Sequence, residues 1–292
     1  MHRSVLLQEL IAGLSLAPED IVLDGTVNGG GHAEAVTNVL GPKGIFIGFD
    51  LDQSALDRAA KRLTGATCRV HLVKSNFRNL DTILSQLEIP KITKAYFDLG
   101  LSTDELEDSG RGFSFQKDEP LLMTFNNNPR GILTAKEIVN EWAEDSLADI
   151  IFGYGQEPAA RRIAKAIVAR RAQAPIATTK ELVAVIESAN RRRGKIHPAT
   201  KTFQALRIAV NDELGALKEV LVKGYEVLEP KGRIAVISFH SSEDRIVKDT
   251  FRSWKEEGRG ASLSKKPIIP SEAELKENPR SRSSKLRIFV KS

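Results

Sequence analysis

The sequence predicts an α/β chain: a parallel sheet wound by helices and interrupted by a mostly helical insertion. Two observations carry this. Short apolar runs recur through the first hundred residues, three of them closing on an acid (Asp24, Asp50 and Asp98), and helical patterns fill the gaps. Strands alternating with helices argue parallel pairing with right-handed crossovers. The alternation then stops over residues 105–200 and resumes with an apolar run at 233–240.

Taken in order, residues 4–17 carry Val5, Leu6, Leu7, Leu10, Ile11 and Leu14 at helical spacing, and Pro18 closes that helix. Residues 20–26 are the first strand. Residues 32–40 are the helix after it, ended by the turn residues Gly41, Pro42, Lys43 and Gly44. Residues 45–50 give the second strand and 54–63 its helix. Residues 69–73 are the third strand, leading into Ser75, Asn76 and Phe77, and residues 95–100 are the fourth. Helices at 158–171 and near 180–193 belong to the insertion. A helical pattern runs from Lys201 to about Leu228, followed by a turn at Pro230, Lys231 and Gly232. Residues 233–240 are the fifth strand, and Ser241 to Asp244 read as a cap for a helix over 245–254. Residues 258–285 are polar and read as loop, and 286–290 as a terminal strand. The expected domains are therefore 1–104 with 201–292 for the sheet, and 105–200 for the inserted helical domain.

Composition bounds the function. With 41% hydrophobic and 28% charged residues in 292, the chain reads as an ordinary globular protein. No apolar run approaches the roughly 18–20 residues that span a bilayer, and the N-terminus has no apolar signal region. One cysteine, Cys68, excludes an internal disulfide and a Cys-rich metal site and fits a reducing cytoplasm. His32, His71, His197 and His240 stand singly, so no metal is expected. Charge is uneven: residues 98–157 hold 13 acids and 4 bases, residues 158–207 hold 2 and 12, and residues 258–292 hold 3 and 9. The basic side chains include Arg161, Arg162, Lys165, Arg170 and Arg171, then Arg191, Arg192, Arg193 and Lys195, then Arg280, Arg282, Lys285 and Arg287. Three such clusters suit a polyanion better than a set of solvated faces.

The stretch from Ile21 to His32 is strand, glycine-rich turn and helix start, the way a doubly wound fold begins a cofactor site. Asp50 stands 20 residues after Gly30 at a strand end, placed to accept two ribose hydroxyls. The loop is not the G-x-G-x-x-G of a pyrophosphate site. Asp24 precedes it, and negative charge there repels phosphate but suits a sulfonium and an ammonium. S-adenosylmethionine (SAM) is favoured over NAD on that ground. Asp98, Leu99, Gly100, Leu101 and Ser102 follow the fourth strand, where ligands meet the carboxyl edge of such a sheet. Asp98 and Ser102 are the candidate catalytic residues.

Several motifs, in this order, resemble the RsmH (MraW) family of cytosine-N4 methyltransferases acting on small-subunit rRNA. They are Asp24-Gly25-Thr26 with Gly30-Gly31-His32, Asp98 to Ser102, Arg111-Gly112-Phe113-Ser114-Phe115, and Tyr154-Gly155-Gln156-Glu157. The segments from His197 to Ile208, from Ser238 to Lys248 and from Asn278 to Ser283 complete the set. The resemblance implies a Rossmann-like class I SAM-dependent methyltransferase sheet with an inserted helical domain that contacts substrate. It implies methylation of N4 of a cytidine in the decoding region of 16S rRNA. It implies SAM contacts at Gly30, Gly31, His32, Asp50, Phe77, Asp98 and Glu105, with 16S rRNA or the small ribosomal subunit as partner.

The sequence departs from the family's pattern at Asn28, where a glycine is usual, and at Glu105, where a glutamine is usual. It departs again at Leu122, Thr124 and Asn126, where the family carries two acids and an arginine. Those last three keep a second reading open: an RNA-binding protein that retains a SAM pocket without catalysis. An NAD-dependent oxidoreductase is the third. Chemically, the SAM methyl is a strong electrophile and the cytosine amine a poor nucleophile, so orientation and a proton acceptor are what the protein must supply. The target base must also leave its stack, and no [D/N/S]-P-P-[Y/F/W] motif is present to do it.

Overall fold

The computed structural model describes residues 4–101, 106, 109–126, 131–190 and 196–292. The chain divides into two compact units, Met1–Gly100 with Leu214–Ser292, and Leu101–Glu213. In chain order the elements are α1 (Leu7–Leu14), β1 (Ile21–Asp24), α2 (Gly31–Thr37), β2 (Ile45–Asp50), α3 (Gln53–Arg62), β3 (Arg69–Lys74), α4 (Leu80–Gln86) and β4 (Ile92–Asp98). Then come α5 (Ala135–Glu141), α6 (Glu144–Gly153), α7 (Ala160–Arg171), α8 (Thr179–Ala189) and α9 (Thr200–Asn211). The chain finishes with α10 (Glu213–Val227), β5 (Leu228–Ser238), α11 (Ser241–Glu256), β6 (Gly260–Ser262), α12 (Glu272–Glu277) and β7 (Lys285–Lys291).

The first unit is a seven-stranded sheet in the order β3-β2-β1-β4-β5-β7-β6. β1 to β5 run parallel, and β7 and β6 add antiparallel at one edge. The order reverses at β1, and β1 pairs with β2 on one side and β4 on the other. A ligand crevice is expected beyond the carboxyl ends of strands at such a reversal. Strand side chains alternate between two faces. Leu23, Ile47, Phe97, Val236 and Phe289 pack with Leu80, Leu84, Leu217, Leu221, Phe251 and Trp254. Val22, Phe46, Tyr96, Ala235 and Ile288 pack with Leu6, Leu10, Leu14, Ala33 and Val36. Each fully buried large apolar side chain contributes about 1.5–3 kcal/mol, and both faces are covered, as a parallel sheet requires.

The second unit is helical around its own core, with Ile138, Leu147, Ile151, Ile163, Ile167, Leu182, Ile186, Phe203 and Leu206 buried together. Capping boxes start α5 at Thr134 with Glu137 and α8 at Thr178 with Glu181.

Four details differ from the sequence reading. The helical pattern from 201 to 228 is two helices, broken where Asp212 takes φ 47°, a left-handed turn that aspartate tolerates. The first of them, α9, buries Phe203, Leu206 and Val210 in the helical core. The helical unit therefore begins at Leu101 and ends at Glu213, where 105–200 was expected for it. The cap of α11 is His240 with Glu243, not Ser241. The polar stretch 258–285 holds β6, α12 and a 3-10 turn at Pro279–Ser283, elements too short for periodicity to reveal. Among the described residues no helix is long and apolar enough to cross a membrane.

Candidate cofactor and active site

The glycine-rich loop is held across three strand ends. Gly25 donates to the Tyr96 carbonyl at 2.9 Å, and Val27 donates to the Phe49 carbonyl at 2.9 Å. Asn28 takes φ 51° and Gly30 φ 79°. Both are left-handed, a conformation that asparagine tolerates better than most side chains and glycine adopts without strain. Asn28 thus takes, without being glycine, the left-handed backbone form that this turn uses. A Cβ on Gly30 would also stand 3.0 Å from the Ala59 Cα, whereas one on Gly29 would meet open space.

Asp50 ties this loop to β2. Its Oδ2 accepts the Asn28 N–H at 2.8 Å and its Oδ1 accepts the Asp52 N–H at 2.8 Å. Burial raises its carboxyl above the ordinary range, against the pull of those two N–H groups. Each oxygen keeps a second lone pair, so a pair of hydroxyls can still be accepted. Phe77 opens a short 3-10 turn after β3, capped by Asn76, and sets its ring edge-on to Phe97 at 5.8 Å. Phe97 also fills the space that a Gly25 side chain would need.

Asp24 is fully buried. Its Oδ1 accepts from Thr26 N at 2.9 Å, and its Oδ2 accepts from the Tyr96 hydroxyl at 2.7 Å. Burial pushes this carboxyl up to about 7 despite those donors. The charge expected at Asp24 to suit a cationic ligand is shut away from solvent. Its side chain is instead the joint between β1 and β4. Tyr96, which the sequence reading passed over, is the residue that makes that joint. The available signal was a tyrosine inside a buried strand, whose hydroxyl must find a partner.

Asp98 is placed by the same strand ends, its N–H donating to Thr26 Oγ1 at 2.7 Å. Its side chain keeps 15% of its surface accessible, and its Oδ2 lies 3.5 Å from His32 Nδ1. Among the described residues, its Oδ1 is buried without a hydrogen-bond partner. Burial, and then the charge of Glu243, push the Asp98 carboxyl up to about 7. His32 is buried, with Nε2 2.9 Å from the Val5 carbonyl. Burial lowers its pKa and keeps the ring neutral. A neutral ring that donates through Nε2 to Val5 presents Nδ1 as an acceptor. Two acceptors then face each other across the gap to Asp98, which favours a proton on that carboxyl.

Glu243, expected within the helix cap at 241–244, does sit in the cap of α11. Its Oε2 accepts from Phe239 N at 2.8 Å and His240 N at 3.2 Å. His240 Nε2 lies 3.1 Å from Glu243 Oε1, close enough for attraction but not aligned for a hydrogen bond. Gly100 takes φ 135°, and a side chain there would press on the Phe239 ring.

Of the expected site residues, the fold gathers Gly30, Gly31, His32, Asp50, Phe77 and Asp98 at the carboxyl edge of β1 to β4. Ser102 and Glu105 lie outside the described residues, as do Arg191, Arg192, Arg193 and Lys195. Leu122, Thr124 and Asn126 sit in the helical unit. Thr124 is buried, its Oγ1 accepts from Asn126 N at 3.2 Å, and Arg111 donates to the Thr124 and Phe125 carbonyls. On α7, Arg171 donates to the Val139 carbonyl and Arg170 to that of Ala174. Those two bases therefore serve the unit's own structure, and Arg161, Arg162 and Lys165 form the exposed basic face.

Among the described residues Asp98 Oδ1 is a buried carboxyl oxygen without a partner, and such an oxygen suits a ligand that brings ammonium, amine or hydroxyl groups. A family model described as the MraW methylase family matches residues 1–292. Ribosomal RNA small subunit methyltransferase H of Paenibacillus sp. (strain JDR-2) is 43% identical over 314 residues, covering 99% of both chains. The protein of that name from Brevibacillus brevis is 43% identical over 309 residues, covering 99% of this chain and 98% of its own. That from Coprothermobacter proteolyticus is 42% identical over 290 residues, with 99% and 96% covered.

Proposed function

Because the chain belongs to the MraW methylase family, we propose that it is a SAM-dependent methyltransferase that modifies N4 of a cytidine in the decoding region of 16S rRNA. The fold is the Rossmann-like class I methyltransferase sheet with a helical insertion. The substrate is rRNA of the small ribosomal subunit, and the place of action is the cytoplasm. The observation that carries the chemistry is Asp98 Oδ1, among the described residues buried and without a partner, at the end of β4 whose Asp98 N–H bonds Thr26 of the loop.

When bound, SAM supplies an electrophilic methyl group on a sulfonium. The chain's own residues do the rest. Asp50 accepts the ribose hydroxyls while its bonds to Asn28 and Asp52 hold it still. Gly30, Gly31 and Phe77 bound the same crevice, and Glu105 belongs to the contact set by its motif. Asp98 orients a donor group through Oδ1 and takes up the amine's proton, which a carboxyl poised at about 7 can do near neutrality. His32 Nδ1, an acceptor 3.5 Å from Asp98 Oδ2, holds that side of the carboxyl once the proton has been taken up, and Ser102 adds a hydroxyl by its position after β4. The helical unit is the substrate-recognition domain, with Arg161, Arg162 and Lys165 as phosphate contacts that position rather than read the RNA.

The test is transfer of a labelled methyl group from SAM to small ribosomal subunits of a strain lacking the gene, with mass mapping of the product. Label at N4 of one decoding-region cytidine is the expected result. Tight SAM binding with no transfer to any rRNA would establish the non-catalytic reading instead.

A further inference from the structure

We infer that the cavity between the end of β5 and the start of β7 is a subsite for one nucleotide of the RNA substrate, next to the base that is methylated. This rests on the reading above and adds a site to it.

The cavity measures about 330 Å³. That is the low end of the range for small-molecule sites, about 300–1,000 Å³, and suits one nucleotide rather than a longer segment. Its lining is mixed: Phe239, Ile269, Pro270 and Leu275 give it an apolar side, and His240, Ser241, Ser283 and Ser284 line it together with the cations Arg282 and Lys285. Ile269 is 63% exposed, a large apolar surface left open to solvent. An apolar wall with an aromatic ring takes the face of a base, and a cationic rim takes its phosphate.

Three neighbouring acids, Asp244, Glu243 and Glu274, are already engaged. Asp244 is held by Arg287 at 2.7 Å and Lys285 at 3.1 Å. Against the upward push of burial, those two cations keep its carboxyl below the ordinary range. Glu243 is buried against Phe239 N and His240 N, and Glu274 accepts from Leu6 N at 2.8 Å. Two cations share Asp244, and Arg282 stands exposed on the rim.

Position sets the register. Asp98 pairs with Ile237 on β5, two residues before Phe239. Phe239 packs against Gly100, two residues after Asp98. The apolar wall is thus continuous with the strand end that carries the candidate catalytic carboxyl, on the carboxyl edge where ligands of such sheets bind. The sequence motif from Asn278 to Ser283, which the cofactor site leaves unused, forms the 3-10 turn on the rim.

The experiment uses the full chain and unmodified small subunits as methyl acceptor, with Arg282→Ala, Arg282→Lys and Ile269→Ser. Each variant's Kd for SAM reports whether the fold and the cofactor site are intact. The expected result is a five- to tenfold rise in KM for subunits in Arg282→Ala, partial rescue in Arg282→Lys, and a smaller rise in Ile269→Ser. Both kcat and the Kd for SAM stay at the wild-type value. A photo-crosslinker on a cysteine replacing the exposed Ser283 should attach to a nucleotide adjacent to the methylated cytidine. Unchanged KM in Arg282→Ala, or crosslinks only to distant RNA, would overturn the subsite while wild-type transfer leaves the methyltransferase reading standing. Wild-type protein that transfers no methyl group to subunits would overturn both.

Discussion

The Asn28 N–H donates to Asp50 Oδ2 at 2.8 Å, so the glycine-rich loop and the acid at the end of β2 move as one piece. The left-handed turn at Asn28 points that N–H toward the carboxylate. Replacing Asp50 by alanine removes the ribose acceptor and frees the loop together. A hydrogen bond to a charged group is worth about 1.5–3 kcal/mol, or about 10- to 100-fold in Kd. Calorimetric titration of Asp50→Ala with SAM should show a loss of that size, and an unchanged Kd would remove Asp50 from the cofactor site.

Methyl transfer should depend on the ionisation of Asp98. Its ordinary carboxyl value of 3.8 is pushed up to about 7 by burial and by Glu243, so the carboxylate that accepts a proton becomes the main form only above that pH. The rate should climb through about pH 7 and level off above it. Asp98→Asn should abolish the climb and lower kcat by about 10²-fold or more. Glu243→Gln removes a like charge and should shift the climb to lower pH. A flat wild-type profile between pH 5.5 and 8.5 would exclude Asp98 as the acceptor.

Asp24 should make the sheet unit less stable as pH rises. Its carboxyl titrates at about 7 in the fold against 3.8 ordinarily, so the folded chain holds a proton that the unfolded chain has lost between those values. Stability is then fully present below about pH 4 and falls as pH rises through about 7. In urea unfolding, Asp24→Asn should flatten that dependence. Tyr96→Phe removes a donor from the buried carboxyl and should cost about 1–3 kcal/mol.

The exposed face of α7 should govern the salt dependence of RNA binding. Arg161, Arg162 and Lys165 face solvent there, whereas Arg170 and Arg171 are tied to backbone carbonyls. Neutralising the first three should lower the slope of log K against log salt by about 3. Neutralising Arg171 should lower stability instead. A slope unaffected by the triple change would mark that face as merely solvated.

The sequence by itself determined the first five strands and the terminal strand in order, the three acids at strand ends, the loop and the helical interruption. Those features are local: strand and helix periods, turn residues, and the positions of Asp24, Asp50 and Asp98 relative to them. The tertiary structure decided what each acid does, because a carboxyl group's role depends on what lies around it. Burial and Tyr96, 72 residues away, make Asp24 a joint. Two backbone N–H groups leave Asp50 open to hydroxyls. Among the described residues, Asp98 alone of the three keeps a buried oxygen without a partner. Glu243 reaches that site from 145 residues further along the chain, a distance over which no sequence period runs. The rim of the nucleotide cavity and the break at Asp212 likewise depend on packing and on one backbone angle, which neither composition nor spacing records.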